Sequence, residues 1–240
     1  EDMLSSQQRL WSYDFRFLPV ELISGIYESF LRDEQEELGA FYTPRNLANM
    51  VIDQALGNCE NLADQRIYDG ACGSGILLTT AFRRILNHVE AQRGQLLPLA
   101  DRIPLLKSCI FGSDVSKAAC QMTAFSLYLS LLERLQPADL AQLERGEGVK
   151  LPKLRGENLF SGAAGDFFDA KNKLASKPSF TIFICNPPWK EPKKDAVSSA
   201  DAWAERQGGL VVRRQMAAAF AHRALDCVLP TGRLCLILPV

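Results

Sequence analysis

The sharpest chemical feature of the sequence is the run Asn186-Pro187-Pro188-Trp189, which directly follows an apolar stretch. Two successive prolines stiffen the backbone and supply no N–H, so the Asn186 side chain and the nearby carbonyls point outward as hydrogen-bond acceptors. An amide oxygen and a main-chain carbonyl at one place can accept both hydrogens of an exocyclic amine, and the adjacent indole can stack on the base that bears it. The alternative is a rigid loop after a core strand.

A glycine-rich turn, DGACGSG at 69–75, is a second candidate. It matches neither the G-x-G-x-x-G dinucleotide fingerprint nor a Walker loop, because no Lys-Ser/Thr pair follows. Small residues let a ligand approach the backbone closely, and Asp69 at the strand end can hold an amine or a hydroxyl. A tight strand-to-helix corner without a ligand is the alternative.

Two more carboxylates stand at comparable places in the chain. Asp114 follows a second apolar run and suits a ribose diol, like the acidic residue of nucleotide-binding folds. Ser113, Asp114 and Ser116 equally suit helix caps, so a capping role stays open. Asp166 lies in a GDFF turn.

The elements that must position these residues are strands without polar alternation, separated by helices. The pattern predicts strands at 66–69, 109–113, 180–185 and 233–240, and a helix near 211–229. Such strands form a parallel sheet that is covered on both faces. Ligands bind such a sheet at the carboxyl ends of its strands, where the strand order reverses, and the candidate residues fall at these ends.

The remaining segments supply helices and connectors. Apolar spacing predicts a helix at 18–31, and FYTP at 41–44 predicts another that Thr43 caps and Pro44 begins. The connectors 91–108 and 136–157 are rich in Pro, Gly and charge, and we expect both to be surface insertions.

Composition excludes several classes of protein. A chain of 240 residues with 47% hydrophobic and 23% charged residues can form one large domain, and no apolar run approaches the ~18 residues of a membrane span. Seven cysteines without a Cys-x-x-Cys pair, and only two histidines, disfavour a disulfide framework, a metal site and a Ser-His-Asp hydrolase. The net charge is −1, yet 171–214 carries 9 basic and 4 acidic side chains, which could lie beside a phosphate backbone.

In their order, FYTP, DGACGSG, an acidic strand end, GDFF and NPPW resemble the N6-adenine DNA methyltransferases that use S-adenosylmethionine and carry FYTP on the amino-terminal side. The opening YDFRFLPVELISGIYESFL is similar to the helical lead-in of modification enzymes from type I and combined type II restriction systems. The resemblance spans roughly residues 13–240. It implies an α/β, Rossmann-like class I methyltransferase fold, with a mostly parallel sheet and helices on both faces over 41–240, preceded by a helical segment over 1–40.

The resemblance also implies roles for the residues that bind S-adenosylmethionine. The methionine end would lie against Thr43 and its neighbours, the amino-acid and sulfonium region against Asp69 and its glycine turn, and the ribose hydroxyls against Asp114. Asp166 would accept from the adenine amine of the cofactor, and Phe167 would pack on that ring. The implied set is Phe41, Tyr42, Thr43, Asp69, Gly70, Ala71, Gly73, Gly75, Asp114, Asp166 and Phe167.

The catalytic residues implied are Asn186, Pro187, Pro188 and Trp189. Asn186 and the Pro187 carbonyl would hold the target adenine amine, and Trp189 would stack on the flipped base. Trp stands where the family usually has Tyr or Phe. No metal is expected.

The implied partner is double-stranded DNA in the cytoplasm of a bacterial or archaeal cell, with no membrane. We expect the two further strands that end such a sheet, and a target-recognition domain or specificity subunit, to lie outside this sequence.

Two alternatives remain open from the residues. A protein-glutamine or ribosomal-RNA amine methyltransferase uses the same NPP-aromatic run on the same fold, and FYTP and the helical lead-in argue against it. A DNA-binding subunit without activity is the other, and the intact NPPW run argues against that.

Overall fold

The computed structural model describes residues 43–189, 197–208 and 215–238, apart from 138, 140–142, 144 and 147. The predicted lead-in at 1–40, its helix at 18–31, and Phe41 and Tyr42 lie outside the described residues. The described helices are α1 (Arg45–Leu56), α2 (Ile76–Arg93), α3 (Leu99–Cys109), α4 (Lys117–Leu132), α5 (Ser199–Arg206) and α6 (Met216–Ala224). The described strands are β1 (Ile67–Asp69), β2 (Ile110–Asp114), β3 (Leu159–Ser161), β4 (Phe180–Cys185) and β5 (Val228–Leu236).

The five strands form one parallel sheet in the order β3-β2-β1-β4-β5. The chain moves outward from β1 to β3, then crosses back so that β4 pairs with the other side of β1. The strand order therefore reverses between β1 and β4. Asp69 ends β1 and Asn186 follows β4, so both lie at this reversal, where parallel sheets bind their ligands.

Alternate side chains of each strand enter two different hydrophobic clusters. Ile67, Ile110 and Ile182 belong to a cluster with helices α1 to α4, whereas the residues that follow each of them, Tyr68, Phe111 and Phe183, belong to a cluster with α5 and α6. Successive side chains of a strand point to opposite faces, so apolar residues at every position require a layer of helices on both sides. This confirms the predicted architecture.

Strand β5 begins earlier than its sequence pattern predicts. The sequence pattern predicts a strand at 233–240, but β5 spans Val228–Leu236, and Ile237 and Leu238 lie beyond its end. A register irregularity separates the pairing of Phe180 with Val228 from that of Ile182 with Arg233. The extra residues include Pro230, which cannot donate to a ladder and which strands tolerate at bulges.

The connector at 91–108 is not a surface insertion, and this prediction was wrong. Its first residues continue α2, and α3 packs Leu106 and Cys109 into the core. Arg102 is fully buried, where it bridges the Glu90 carboxylate at 3.0 Å and donates to the carbonyls of Leu97 and Leu131. Charged residues in a connector favour exposure, but Arg102 is buried because its donors find partners.

Thr43 does not cap a helix, contrary to the sequence prediction. Helix α1 begins at Arg45, its N-cap position is Pro44, and no side chain caps it. The Thr43 side chain is buried and faces the end of β4 instead. Separately, none of the helices in the described ranges combines the length and the apolar character that crossing a membrane requires.

Candidate active site

A cavity lies at the carboxyl ends of β1, β2 and β4, where the strand order reverses. Its volume is about 260 Å³, whereas a single water needs only about 15 Å³. The cavity therefore accommodates a molecule of many atoms. Of the residues predicted for the site, those that line it are Thr43, Asp69, Gly70, Ala71, Gly73, Asp114, Asp166, Phe167, Asn186 and Pro188.

Asp69 forms the floor of this cavity and is 1% exposed. Its Oδ1 accepts the backbone N–H of Ala71 at 3.1 Å, and the Cys185 thiol also donates to the carboxylate. Burial raises the pKa of Asp69 to about 7, against these hydrogen bonds, which lower it, and the nearby charge of Asp114 raises it further. A carboxylate held at this pKa is poised to ionise when a cation is brought beside it.

The glycine turn joins β1 to α2 and is tied to β2 by a carboxylate. Gly75 has a φ of +87° and precedes α2, and a Cβ there would come within 3.0 Å of the Thr123 backbone on α4. Only glycine allows this backbone conformation beside α4. Gly75 itself does not line the cavity but sets the start of α2, whose first residue Ile76 does.

Asp114 ends β2 and holds the turn in place. Its Oδ2 accepts the Gly73 N–H at 3.0 Å, and its Oδ1 accepts the Ser116 N–H at 2.8 Å. Ser116, not Asp114, is the N-cap of α4, since its hydroxyl accepts the Ala119 N–H. Burial raises the pKa of Asp114, and the two backbone hydrogen bonds oppose this. Each carboxylate oxygen has two acceptor sites, so Asp114 can also accept from hydroxyls in the cavity.

The GDFF turn brings an acid and two aromatic rings to the far wall. Asp166 accepts the backbone N–H of Phe168 at 2.9 Å and lines the cavity. Phe167 is 2% exposed, and its ring stacks on Phe220 of α6 at a centroid distance of 4.8 Å. Phe168 contacts the same Phe220 edge to face. The wall is thus a packed aromatic surface with one carboxylate beside it.

Asn186 and Thr43 meet on the opposite side of the cavity. Asn186 follows the last residue of β4, and its Nδ2 donates to the Thr43 Oγ1 at 3.0 Å. Both residues line the cavity. The FYTP motif and the NPPW motif, 143 residues apart in sequence, are therefore in direct contact.

The structure places the remaining NPPW residues differently. Pro188 lines the cavity, whereas Pro187, which is buried, and Trp189 are not among the lining residues. The Trp189 indole packs against the core cluster of α1 to α4, and its Nε1–H donates to the Ile237 carbonyl at 3.3 Å. The end of β5 thereby fixes the orientation of the indole.

The sequence also matches a known family model. A model described as N-6 DNA Methylase covers residues 20–240, which is most of the chain. This chain belongs to the N-6 DNA methylase family. The resemblance read from the FYTP, DGACGSG, GDFF and NPPW motifs is thereby confirmed.

Known proteins are similar to this N-6 DNA methylase in sequence or in fold. The type II methyltransferase M.VspI of Vibrio sp. (strain 343) is 26% identical over 188 residues, 77% of this chain and 34% of the relative, so the chain spans about a third of that protein. A structure from Listeria monocytogenes described as a class I S-adenosylmethionine-dependent methyltransferase superposes with a TM-score of 0.51 at 19% identity, covering 98% of this chain and 59% of its own. The ATP-dependent type ISP restriction-modification enzyme LlaBIII, bound to DNA, superposes with a TM-score of 0.59 at 14% identity, covering 90% of this chain and 16% of its own.

The charge of the cavity in this N-6 DNA methylase tests which ligand fits it. Asp69, Asp114 and Asp166 all line it, and within the described ranges no Lys or Arg does. Phosphate groups would meet three carboxylates without a compensating cation, so nucleotides with phosphates fit poorly. A ligand with hydroxyls and a net positive charge fits, and S-adenosylmethionine carries a sulfonium, an ammonium and a ribose diol against a single carboxylate. No group of His, Cys, Asp and Glu that could hold a metal occurs in the part of the chain that the structure describes.

Several lining residues of this N-6 DNA methylase were missed by sequence reasoning. Val115 is 53% exposed and borders the cavity. Its position directly after Asp114 is the sequence signal that could have identified it. Phe168 belongs to the same GDFF run as Phe167. Met216 and Phe220 stand four residues apart on α6, so helical spacing puts them on one face. Nothing local in the sequence indicates that this face reaches the ends of β1 and β4.

Proposed function

We propose that the protein carrying this sequence transfers a methyl group from S-adenosylmethionine to the exocyclic N6 of adenine in double-stranded DNA, as part of a restriction-modification or related defence system. The observation that carries the proposal is that Asn186 lines the same cavity as three carboxylates, those of Asp69, Asp114 and Asp166. Membership of the N-6 DNA methylase family and the similarity to M.VspI support it.

The residues present fit the cofactor. Asp114 would accept from the ribose hydroxyls, Asp69 and the glycine turn would surround the amino-acid and sulfonium region, and Asp166 would accept from the adenine amine. Val115 and Phe167 border the cavity and would flank the adenine ring. When bound, the cofactor supplies an electrophilic methyl group. Phe41 and Tyr42, predicted beside the methionine end, stay a prediction.

The chain's own residues would act on the target amine. The N6 lone pair is delocalised into the adenine ring, so the amine is a poor nucleophile. Acceptance of its two hydrogens by the Asn186 Oδ1 and the Pro187 carbonyl would favour a tetrahedral nitrogen and free the lone pair for in-line attack. No base strong enough to deprotonate the amine beforehand is needed, and a proton leaves after transfer.

The target base must leave the duplex to reach Asn186 at the edge of this cavity. Extrusion costs a few kcal/mol, and stacking on an aromatic side chain returns about 1–3 kcal/mol. Trp189 is proposed to supply that ring, with its edge anchored on Ile237 while a face receives the base. The target-recognition domain or specificity subunit that selects the DNA sequence is proposed to lie outside residues 41–240, and a DNA substrate places the protein in the bacterial or archaeal cytoplasm.

The test is transfer of tritiated methyl groups by the complete protein to DNA, ribosomal RNA and a glutamine-containing protein. We expect label in DNA adenine, and loss of transfer in Asn186→Ala with cofactor affinity nearly intact. Label in RNA or protein but not in DNA would overturn the substrate, and comparable transfer by Asn186→Ala would overturn the role of Asn186. Cofactor binding without transfer to any substrate would indicate an inactive subunit.

A further inference from the structure

The chain around Asn186 is held in place by its neighbours, so the main remaining freedom of Asn186 is rotation of its side chain. Two prolines follow it, and the carbonyl of the preceding Cys185 accepts the Ile237 N–H at 3.0 Å. Trp189 is anchored to the same residue, since its indole donates to the Ile237 carbonyl. The Cys185 backbone before Asn186 and the Trp189 side chain after it are thereby both attached to Ile237, which directly follows β5.

The terminal torsion of an asparagine is broad and roughly two-fold. One orientation presents Oδ1 to a neighbour and the other presents Nδ2. An exocyclic amine offers two hydrogens, so only Oδ1 can accept from it, and a reversed amide would set donor against donor. The orientation of the amide therefore decides whether Asn186 can act on the amine.

Thr43 contacts the nitrogen end of the Asn186 amide. It is 6% exposed, and its Oγ1 accepts from the Asn186 Nδ2 at 3.0 Å. It does not cap α1, whose N-cap is Pro44, so its hydroxyl is not committed to the helix. The helix behind it is fixed by Ala48 and Ile52, both fully buried. The acceptor thus comes from a rigid part of the core.

We propose that Thr43 is a positioning residue for catalysis, which holds the Asn186 amide with Nδ2 toward itself and Oδ1 toward the target amine. The inference rests on the proposed function and assigns to Thr43 a role beyond cofactor contact. A hydroxyl accepts and donates at once, so Thr43 can accept from Asn186 while its own proton goes to an acceptor in the cavity. One side chain would then couple the cofactor side of the site to the target side.

The decisive comparison is Thr43→Val against Thr43→Ser in the complete protein. Valine has the shape of threonine without the acceptor, and serine keeps the hydroxyl. We expect Thr43→Val to lower kcat for methyl transfer about 10- to 100-fold at saturating cofactor and DNA, because a buried hydrogen bond is lost and the amide is misoriented. Loss of the hydroxyl's own contact in the cavity should weaken the cofactor Kd about 3- to 10-fold, which saturating cofactor removes from kcat, and Thr43→Ser should recover most of the rate.

A second measurement does not depend on activity. With selective ¹⁵N-asparagine labelling, the side-chain amide signal of Asn186 is identified by its absence in Asn186→Asp. We expect this signal to shift in Thr43→Val and to stay near its wild-type position in Thr43→Ser.

The two measurements separate failure of the inference from failure of the proposed function. An unshifted amide signal in Thr43→Val overturns the inference whether or not the protein is active. A shifted signal with an unchanged kcat, or a loss of rate that saturating cofactor restores, also overturns it. A wild-type protein that transfers no methyl group to adenine refutes the proposed function, and the amide signal then still decides whether Thr43 orients Asn186.

Discussion

The buried carboxyl of Asp69 predicts how cofactor affinity changes with pH. In the ligand-free protein the pKa of Asp69 is raised to about 7, first by burial and then by the charge of Asp114. A bound sulfonium and ammonium would lower that pKa again, because opposite charge favours the ionised form. Binding of S-adenosylmethionine should therefore release a proton from Asp69 wherever the free protein is still protonated.

The size of the effect follows from this pKa. With Asp69 ionised in the complex, about a tenth of the free protein is competent at pH 6 and about nine-tenths at pH 8, so affinity should be about tenfold weaker at pH 6. At pH 7 about half a proton should be released for each cofactor bound.

Titration calorimetry measures both quantities. Affinity is compared at the two pH values, and proton release is obtained at pH 7 from two buffers that differ in ionisation enthalpy. The control is Asp69→Asn, which keeps an oxygen to accept the Ala71 N–H and cannot ionise. Any pH dependence that it retains belongs to other groups, including the amine of the cofactor. Equal pH dependence in wild type and Asp69→Asn would refute the reasoning.

The same group affects the stability of the ligand-free protein, with a sign that can be worked out. The folded pKa of about 7 lies above the unfolded value near 3.9. Between these two values the folded protein binds more protons, so its stability falls as pH rises and is lowest above pH 7. Thermal unfolding at pH 8 should therefore show a higher Tm for ligand-free Asp69→Asn than for wild type.

Three further predictions concern other residues. Asp114→Ala should weaken S-adenosylmethionine binding about 10- to 100-fold, since a charge-assisted hydrogen bond to the ribose is lost, and unchanged affinity by calorimetry would contradict that role. Trp189→Phe should keep much of the methyl transfer to DNA and Trp189→Ala little. Phenylalanine retains a stacking face, although it loses the N–H that donates to Ile237. Equal rates of tritium incorporation by the two variants would rule out stacking. Arg102→Met should lower the free energy of unfolding by about 2–4 kcal/mol, because buried Glu90 would keep only the half-exposed Arg134 as a counter-charge and two buried carbonyls would lose their donor, and a loss under about 1 kcal/mol in urea unfolding would contradict it.

Much of the fold follows from local sequence patterns. FTIFIC predicts β4 to the residue, because a short run of apolar and β-branched residues that ends at a proline pair has clear limits. The glycine turn and Asp114 mark the ends of β1 and β2 for similar local reasons. The sequence pattern was less accurate for β5, whose start depends on how it pairs with β4. A bulge admits extra residues of β5 against β4, so the strand starts at Val228. Such a bulge leaves only a weak signal in the local sequence.

The residues of the site likewise fall into those that local sequence predicts and those that depend on distant partners. Sequence alone predicted that the three carboxylates and Asn186 lie together, because a parallel sheet brings its strand ends to one edge whatever the side chains around them; their roles stay predictions. It misjudged residues whose role depends on distant partners. Thr43 has the local pattern of a helix cap, and Arg102 that of a surface charge.

What the sequence by itself determined is therefore the family, the strands β1, β2 and β4 and the chemical groups that follow them, since these depend on residue type and near-neighbour spacing; it did not predict β3. Only the tertiary structure decided that Thr43 meets Asn186, that Phe220 and Met216 close the cavity, and that Arg102 is buried against Glu90. The physical reason is that such contacts join side chains far apart in sequence. They form only after the sheet and its helices have packed: burial of apolar surface then stabilises the ring contacts, whereas the buried polar groups are kept because each finds a partner.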